Sequence, residues 1–429
     1  MTNVRLFVAA SLALVIPACQ AEIGGPLDND DLREAASLEA DSAERGVFSA
    51  LPEADPLTKC AFDPMQWWRG PKKRDVTFVA FGDAHAEDPS PGCPRNKKAA
   101  PDQNLLIRAA INSVDQLPHL WPKGPGFYRE GKLFDHIRGV VIAGDLTQAG
   151  SEDIPTGQKQ CREYTVFRDT FGRCGDEGRL RFPVYEGYGN HDFPVGPGAG
   201  QRGHHPVVEY LDRLGPYRPG KASDRFLDPA GSTGHHAWRW DDIWFVSVDL
   251  KPGFEDEVIT KDKGTRIAVP HTARRFLKVF LQAQPKSKTR QIVIVSHYPP
   301  GSSRIEAAER RSFCKLINNA RHGSGAFANQ KLARDRPVAA FIHGHTHHAP
   351  HYKEWRCPDP YDAITIPTFD VGTAFYNNAA NGPGQLHFTI FRLGTTRLEA
   401  VGVSAPATSP TSPWTFTYKR RMGTLNPPD

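Results

Sequence analysis

Five short runs of strand-forming residues in this chain each run straight into a metal-ligating side chain. Val76–Phe81 is followed by Gly82-Asp83-Ala84-His85, and Gly139–Ala143 by Gly144-Asp145. Phe182–Glu186 leads to Gly189-Asn190-His191-Asp192, Ile292–Val295 to Ser296-His297, and Val338–Ile342 to His343-Gly344-His345-Thr346-His347. Continuous apolar runs bounded by Gly, Pro and Asp read as buried strands. In open α/β sheets ligands gather beyond the carboxyl ends of the strands. The pattern therefore demands a sheet that brings five separate loops to one place.

The rest of the chain agrees. Further runs at Ile243–Val248, Ile364–Phe369, Leu386–Phe391 and Arg397–Val403 read as strands, and Trp414–Tyr418 as a last edge strand. Gln103–Leu117 and Thr272–Gln284 carry helical periodicity. In the first, Leu106, Ala109, Ala110, Val114 and Leu117 share a face; in the second, Phe276, Leu277, Phe280 and Leu281 do. Strands alternating with helices early, then mostly strands, predict an α/β sandwich rather than a bundle or barrel. With 429 residues and 39% hydrophobic content, the chain can bury a large core, which excludes disorder throughout. No apolar run reaches the roughly 20 residues of a spanning helix, which excludes a polytopic membrane protein.

The N-terminal residues read as an address. Arg5, the apolar run Leu6–Ile16 and Pro17-Ala18-Cys19 describe a secretory signal over 1–18. Ile16-Pro17-Ala18-Cys19 also resembles a bacterial lipobox, in which Cys19 is lipidated and attaches the protein to a membrane; cleavage after Ala21 is the other reading. Residues 19–74 are expected to form an acidic tether leading into the domain. Residues 27–56 carry a net charge of −7, so the remainder of a chain with net charge +5 is strongly basic. Of seven cysteines, removing Cys19 leaves six and no C-x-x-C pair. That predicts disulfides in an oxidising compartment rather than a thiolate zinc site, with Cys161–Cys174 the best local pair. The expected location is the bacterial cell envelope or outside the cell.

Taken singly, Asp-x-His or Gly-Asp after a strand describes an ordinary turn. Together, two Asp, one Asn and four His at strand ends have no such explanation. Carboxylate, amide and imidazole groups in this number suit two first-row metal ions, with manganese, iron and zinc all compatible.

The set Asp83-x-His85, Gly144-Asp145, Gly189-Asn190-His191-Asp192, His297 and Gly344-His345-x-His347 resembles the calcineurin-like metallophosphoesterases. The resemblance spans about 75–405, leaving 406–429 as a C-terminal linker and tail. It implies a four-layer αββα sandwich of two mixed sheets with a dinuclear site at the strand ends. By the same resemblance, one metal is held by Asp83, His85, Asp145 and His347. The other is held by Asp145, Asn190, His297 and His345, with Asp145 as the bridge. His191 is then the group that assists the leaving oxygen, and Asp192 the group that orients His191. The implied reaction is hydrolysis of a phosphate ester by hydroxide generated from metal-bound water.

Within that family, purple acid phosphatases show Asp-x-Gly in the first block and a Tyr three residues after the second Asp. Here those positions hold His85 and Gln148. The Asp-x-His block and Gly144-Asp145-Leu146-Thr147-Gln148 look more like cyclic-nucleotide phosphodiesterases, and Gly-His-Thr-His resembles acid sphingomyelinase-like enzymes. A diester substrate is thereby slightly favoured. The alternatives are a non-catalytic surface lipoprotein on the same fold, which loss of ligands would accompany, and a nuclease. A nuclease calls for a basic, aromatic-lined groove, and no basic-aromatic run gives a strong nucleic-acid signal.

Overall fold

The computed structural model describes residues 74–91, 93, 102–148, 150, 161–175, 177, 179–192, 225–227, 234–250, 258–260, 266–268, 273–283, 291–324, 327, 337–374, 384–423 and 425. All fall in one compact unit, Lys59–Asp429. The expected signal segment, the lipobox and the acidic tether lie outside the described residues. Among the described residues no helix is long and apolar enough to cross a membrane.

Two sheets carry the fold. The first contains β1 (Val76–Phe81), β2 (Ile137–Ala143), β3 (Val184–Gly187), β13 (Gln385–Leu393), β14 (Leu398–Pro406) and β15 (Thr415–Met422), in the order β15-β14-β13-β1-β2-β3. The second contains β4 (Arg225–Leu227), β5 (His236–Trp240), β6 (Ile243–Ser247), β9 (Ile292–Val295), β10 (Val338–His343), β11 (His351–Arg356) and β12 (Thr365–Asp370), in the order β11-β12-β10-β9-β6-β5-β4. A short pair, β7 (Val258–Thr260) and β8 (Arg266–Ala268), stands apart. Both larger sheets are mixed. β1, β2 and β3 run parallel while β13, β14 and β15 join antiparallel, and β6, β9, β10 and β12 run parallel between antiparallel flanks.

Because side chains alternate along a strand, each continuous apolar run serves two cores. Phe78 and Ala80 of β1 face the other sheet and pack with Trp240, Phe245, Val293, Ile342 and Phe391. Val79 and Phe81 face outward into a helical layer. Over the first sheet that layer is α1 (Gln103–Asn112) and α2 (Glu163–Phe171); over the second it is α3 (Ala273–Ala283) and α4 (Ala307–His322). The inner core is strongly aromatic: Phe78 stacks on Phe391 at 4.9 Å and meets Phe245 edge-on at 5.2 Å. The result is the expected four-layer αββα sandwich.

Three local expectations change. α1 ends at Asn112, and its buried face is Ile107, Ala110 and Ile111 rather than one running to Leu117, which is 75% exposed. Within the expected linker and tail, residues 406–423 belong to the domain: β15 pairs along β14, and Trp414 packs against Phe388. Cys161 bonds Cys93, not Cys174; a second disulfide joins Cys314 to Cys357. Cys174 is disulfide-bonded too. Proximity in sequence misleads here, because the fold carries Cys161, at the start of α2, back to the loop after β1.

At the end of the sheets where β2 begins, the Arg138 guanidinium meets Asp241 in the β5–β6 turn at 2.9 Å, both fully buried, and Arg74 pairs with Asp242. This clasp leaves the opposite, carboxyl end of the parallel strands for the loops that bear the histidines.

Candidate metal centre

The loops after β1 and β2 continue the ladder beyond the strands. Asp83 N–H donates to Gly144 O at 3.0 Å, His85 N–H to Asp145 O at 2.9 Å and Ala86 N–H to Leu146 O at 2.8 Å. Each loop must nevertheless turn its side chains into one space. Asp83, His85, Asp145, His345 and His347 all adopt positive φ, between 43° and 70°. Non-glycine residues enter this region at a cost of about 1–2 kcal/mol each. Two glycines make the crowding possible: a Cβ on Gly189 would overlap Asp145 Oδ1, and one on Gly344 would stand 2.7 Å from Asp83 Oδ2.

Asp83, His85, Asp145 and His347 offer ligand atoms that all lie within 4.8 Å of one another. His347 Nε2 is 3.1 Å from Asp83 Oδ1 and 3.2 Å from His85 Nε2. Asp145 Oδ2 stands 3.3 Å from His85 Nε2 and 3.3 Å from His297 Nε2. His297 Nε2 is in turn 3.1 Å from Asn190 Oδ1, and the His297 and His345 rings meet edge-on at 5.0 Å. The seven residues expected as ligands are thus brought together, with Asp145 between the two groups.

Asp83, His85, Asp145 and His297 are each 1% exposed. Burial works to raise the pKa of both carboxyls, yet the surrounding histidines win: His347 holds Asp83 below the usual range, and His297 and His191 hold Asp145 well below it. Burial pushes His345 down to about 4. His297 rises to about 9 despite its burial, because Asp145 lies beside it. Two ionised carboxylates in a dry site require compensating positive charge. Asp145 Oδ2 is buried with no hydrogen-bond partner. The donor set, an orphaned carboxylate oxygen and imidazoles facing each other through Nε2 all fit two metal ions with Asp145 between them.

Two of the remaining ring nitrogens are held from behind, the arrangement that fixes metal-binding imidazoles. His85 Nδ1 meets Gln148 Oε1 at 3.1 Å and His297 Nδ1 meets Ala143 O at 2.9 Å. The His345 backbone N–H donates to both Asp83 carboxylate oxygens at 3.1 Å. Thr346 Oγ donates to Asp370, which ties the Gly-His-Thr-His loop to the end of β12.

His191 lies partly exposed beside His85, with ring centroids 4.5 Å apart. Its Nδ1 is 2.6 Å from Gln148 O and its N–H donates to Asp145 Oδ1 at 2.8 Å. Asp192 does not orient it, contrary to the expectation. That carboxylate turns inward and accepts the N–H groups of Leu146, Thr147 and Gly189 and the Thr147 hydroxyl, at 2.7–3.2 Å. Three backbone donors converging on a short Asp side chain outcompete one imidazole, so Asp192 locks two loops together. Its burial and the nearby Asp145 raise its pKa to about 6.

Tyr298 packs on His345 at 4.2 Å, His236 Nδ1 meets Gly234 O at 2.8 Å, and His348 is exposed. Sequence reasoning missed the pairing of Asp249 with His235, although Asp249 closes the Ile243–Val248 run just as Asp83 and Asp145 close theirs.

Residues 76–349 match the calcineurin-like phosphoesterase family, and the chain belongs to it. Among solved structures it is similar to a purple acid phosphatase from yellow lupin (Lupinus luteus) seeds, at 10% identity and a TM-score of 0.44. That match covers 83% of this chain, which spans 55% of the lupin chain. No curated protein matches.

Proposed function

We propose that this protein is an exported, dinuclear-metal phosphoesterase that prefers diesters. The observation that carries the reading is Asp145 Oδ2, buried and without a hydrogen bond, 3.3 Å from an imidazole nitrogen on either side. Asp83, His85, Asp145 and His347 would hold one ion, and Asp145, Asn190, His297 and His345 the other. Manganese, iron or zinc bound there would supply charge to neutralise phosphoryl oxygens and to acidify a water.

The chain's own part follows from the hydrogen bonds. A carbonyl only accepts, so His191 Nδ1 carries a proton and donates to Gln148 O. Nε2 then bears a proton only when the ring is charged, and that proton can pass to a departing ester oxygen. The tautomer leaves Nε2 as the atom that exchanges a proton with the substrate, and the charged ring would donate it to the leaving oxygen. Gln148 occupies the position of the purple acid phosphatase Tyr and supports His85 instead, which favours the phosphodiesterase-like branch. Two disulfides and the bonded Cys174 support export, since such bonds persist in oxidising compartments.

The test is metal analysis of the purified protein with hydrolysis of bis-p-nitrophenyl phosphate against p-nitrophenyl phosphate. About two metals per chain and faster diester turnover, both lost in Asp145→Ala, are expected. No metal uptake and no turnover after reconstitution with manganese, zinc or iron would leave a binding protein on this fold.

A further inference from the structure

On β15, far in sequence from every motif above, Lys419, Arg420 and Arg421 follow one another and are all exposed. With Arg397 from the β13–β14 turn they line a cavity of about 440 Å³, whose other wall is Pro125 and Gly423. None of the four has a carboxylate within ion-pair distance among the described residues. Their fixed partners are neutral: Lys419 Nζ donates to Lys123 O at 3.4 Å, Arg421 to Pro125 O at 3.5 Å, and Arg420 lies over the Tyr352 ring at 4.8 Å. The nearby Glu130 carboxylate is spent on the N–H groups of Gly124, Gly126 and Phe127, and so builds the turn that forms the wall. Three of the four cations are thus held by neutral groups, and none of the four is ion-paired among the described residues.

Lys or Arg on an edge strand commonly guards against strand addition. That purpose needs no contribution from the β13–β14 turn and no cavity. We infer that this face docks on a surface of anionic phospholipid headgroups. Three features favour a lipid surface over a single soluble anion. The groove is open and its lining holds no buried polar side chain that would select one anion. An adjoining cavity of about 380 Å³ shares Arg397 and is bordered by Tyr128, 71% exposed, an aromatic ring with a polar tip suited to the headgroup region. The basic lining also extends over both cavities, since Arg74 and Arg392 join Arg397 in the second, beside a single carboxylate, Asp75. Arg397 and Arg421 can each grip phosphate oxygens in a fork, and basic residues near such a surface attract it about fivefold each at moderate salt.

The inference is independent of the metal centre. Its test uses the full chain carrying Cys19→Ser, so that no lipid anchor contributes, in co-sedimentation with vesicles. Binding is expected to phosphatidylcholine vesicles containing phosphatidylglycerol, not to phosphatidylcholine alone, and to weaken with salt. Arg397→Gln with Lys419→Gln and Arg421→Gln should weaken it at least tenfold, with melting temperature and turnover of a soluble ester unchanged. Arg397→Lys with Arg421→Lys should retain binding, as should Arg311→Gln on α4. Equal binding to both vesicle types, no binding, or full binding by the triple glutamine variant overturns the inference. So does tripolyphosphate bound through these residues in a chain that ignores vesicles, which would reassign the groove to a soluble anion.

Discussion

His235 Nδ1 lies 2.7 Å from Asp249 Oδ2, with both side chains buried. Asp249 closes β6 in the left-handed region, at φ 51°. Its carbonyl accepts the His297 N–H at 2.5 Å and the Ser296 hydroxyl at 2.9 Å, while Oδ1 accepts the Tyr188 N–H at 3.2 Å. One residue therefore holds the loop bearing His297 and the loop bearing Asn190, and His235 holds that residue.

Removing one member of a buried pair strands its partner, at about 3 kcal/mol or more. Asp249→Asn and His235→Ala should lower the melting temperature, and both should weaken metal affinity about 10–100-fold through His297 and Asn190. Thermal unfolding and metal titration on the same preparations check this. Unchanged metal affinity in a destabilised variant would confine the pair to stability.

Gln148 offers a narrower probe. Its side chain supports His85, while its backbone carbonyl supports His191. Gln148→Ala should weaken metal binding about 10–100-fold and leave the His191 contact in place. Gln148→Glu keeps an acceptor for His85 Nδ1 and should recover most of the affinity. Equal loss in both variants would mean that the amide does something other than hold the ring.

His191→Ala should retain metal and lose turnover of an ester with a poor leaving group by about 10²–10⁴-fold. The loss should be small for a nitrophenolate leaving group, which departs without a proton, and large for an alkyl alcohol. A loss independent of the leaving group would remove the general-acid role.

Why the site was legible before the sheets were paired is plain in the residues. β1, β9 and β10 are continuous apolar runs buried on both faces, so their boundaries coincide with their hydrophobicity. Ligands placed straight after such runs announce themselves. β11, with sequence His-Tyr-Lys-Glu-Trp-Arg, lies exposed at a sheet edge and shows no alternation to read. α4 mixes charged and apolar residues and is defined by a capping box of Glu306 and Glu309 and by Gly323 at its end. The orientation of Asp192 could not be read either. It depends on which of several donors reaches a carboxylate first, and that is settled by loop packing.

The disulfide Cys314–Cys357 joins α4 to the loop after β11 across a separation of 43 residues, with Cys314 fully buried. Chain-entropy arguments assign a loop of that length about 4 kcal/mol. Cys314→Ala with Cys357→Ala should lower stability by about 2–4 kcal/mol in denaturant unfolding, and a reductant should no longer shift the double variant through this bond. Identical midpoints for the two proteins would show that the bond closes a loop already ordered.

The last prediction concerns pH and a histidine remote from the metal ligands in sequence. His119 is 3% exposed, stacks on Trp414 at 3.5 Å and lies 3.1 Å through Nε2 from the Ser113 hydroxyl. Burial drives its pKa down to about 4, outweighing a backbone hydrogen bond with Thr411. In the unfolded chain the value returns to about 6.5. Between these values the unfolded state binds a proton that the folded state refuses, so stability must fall as pH falls from 6.5 to 4. Above pH 6.5 both states are neutral and the contribution is fully present. The stack secures the segment leading into β15, so its loss should also loosen that edge strand. His119→Gln cannot titrate, and its stability should depend less steeply on pH within this window, although its absolute stability is lower. Melting temperatures of the two proteins from pH 4 to pH 7 decide the matter. Parallel curves would mean that His119 takes up its proton without leaving the stack.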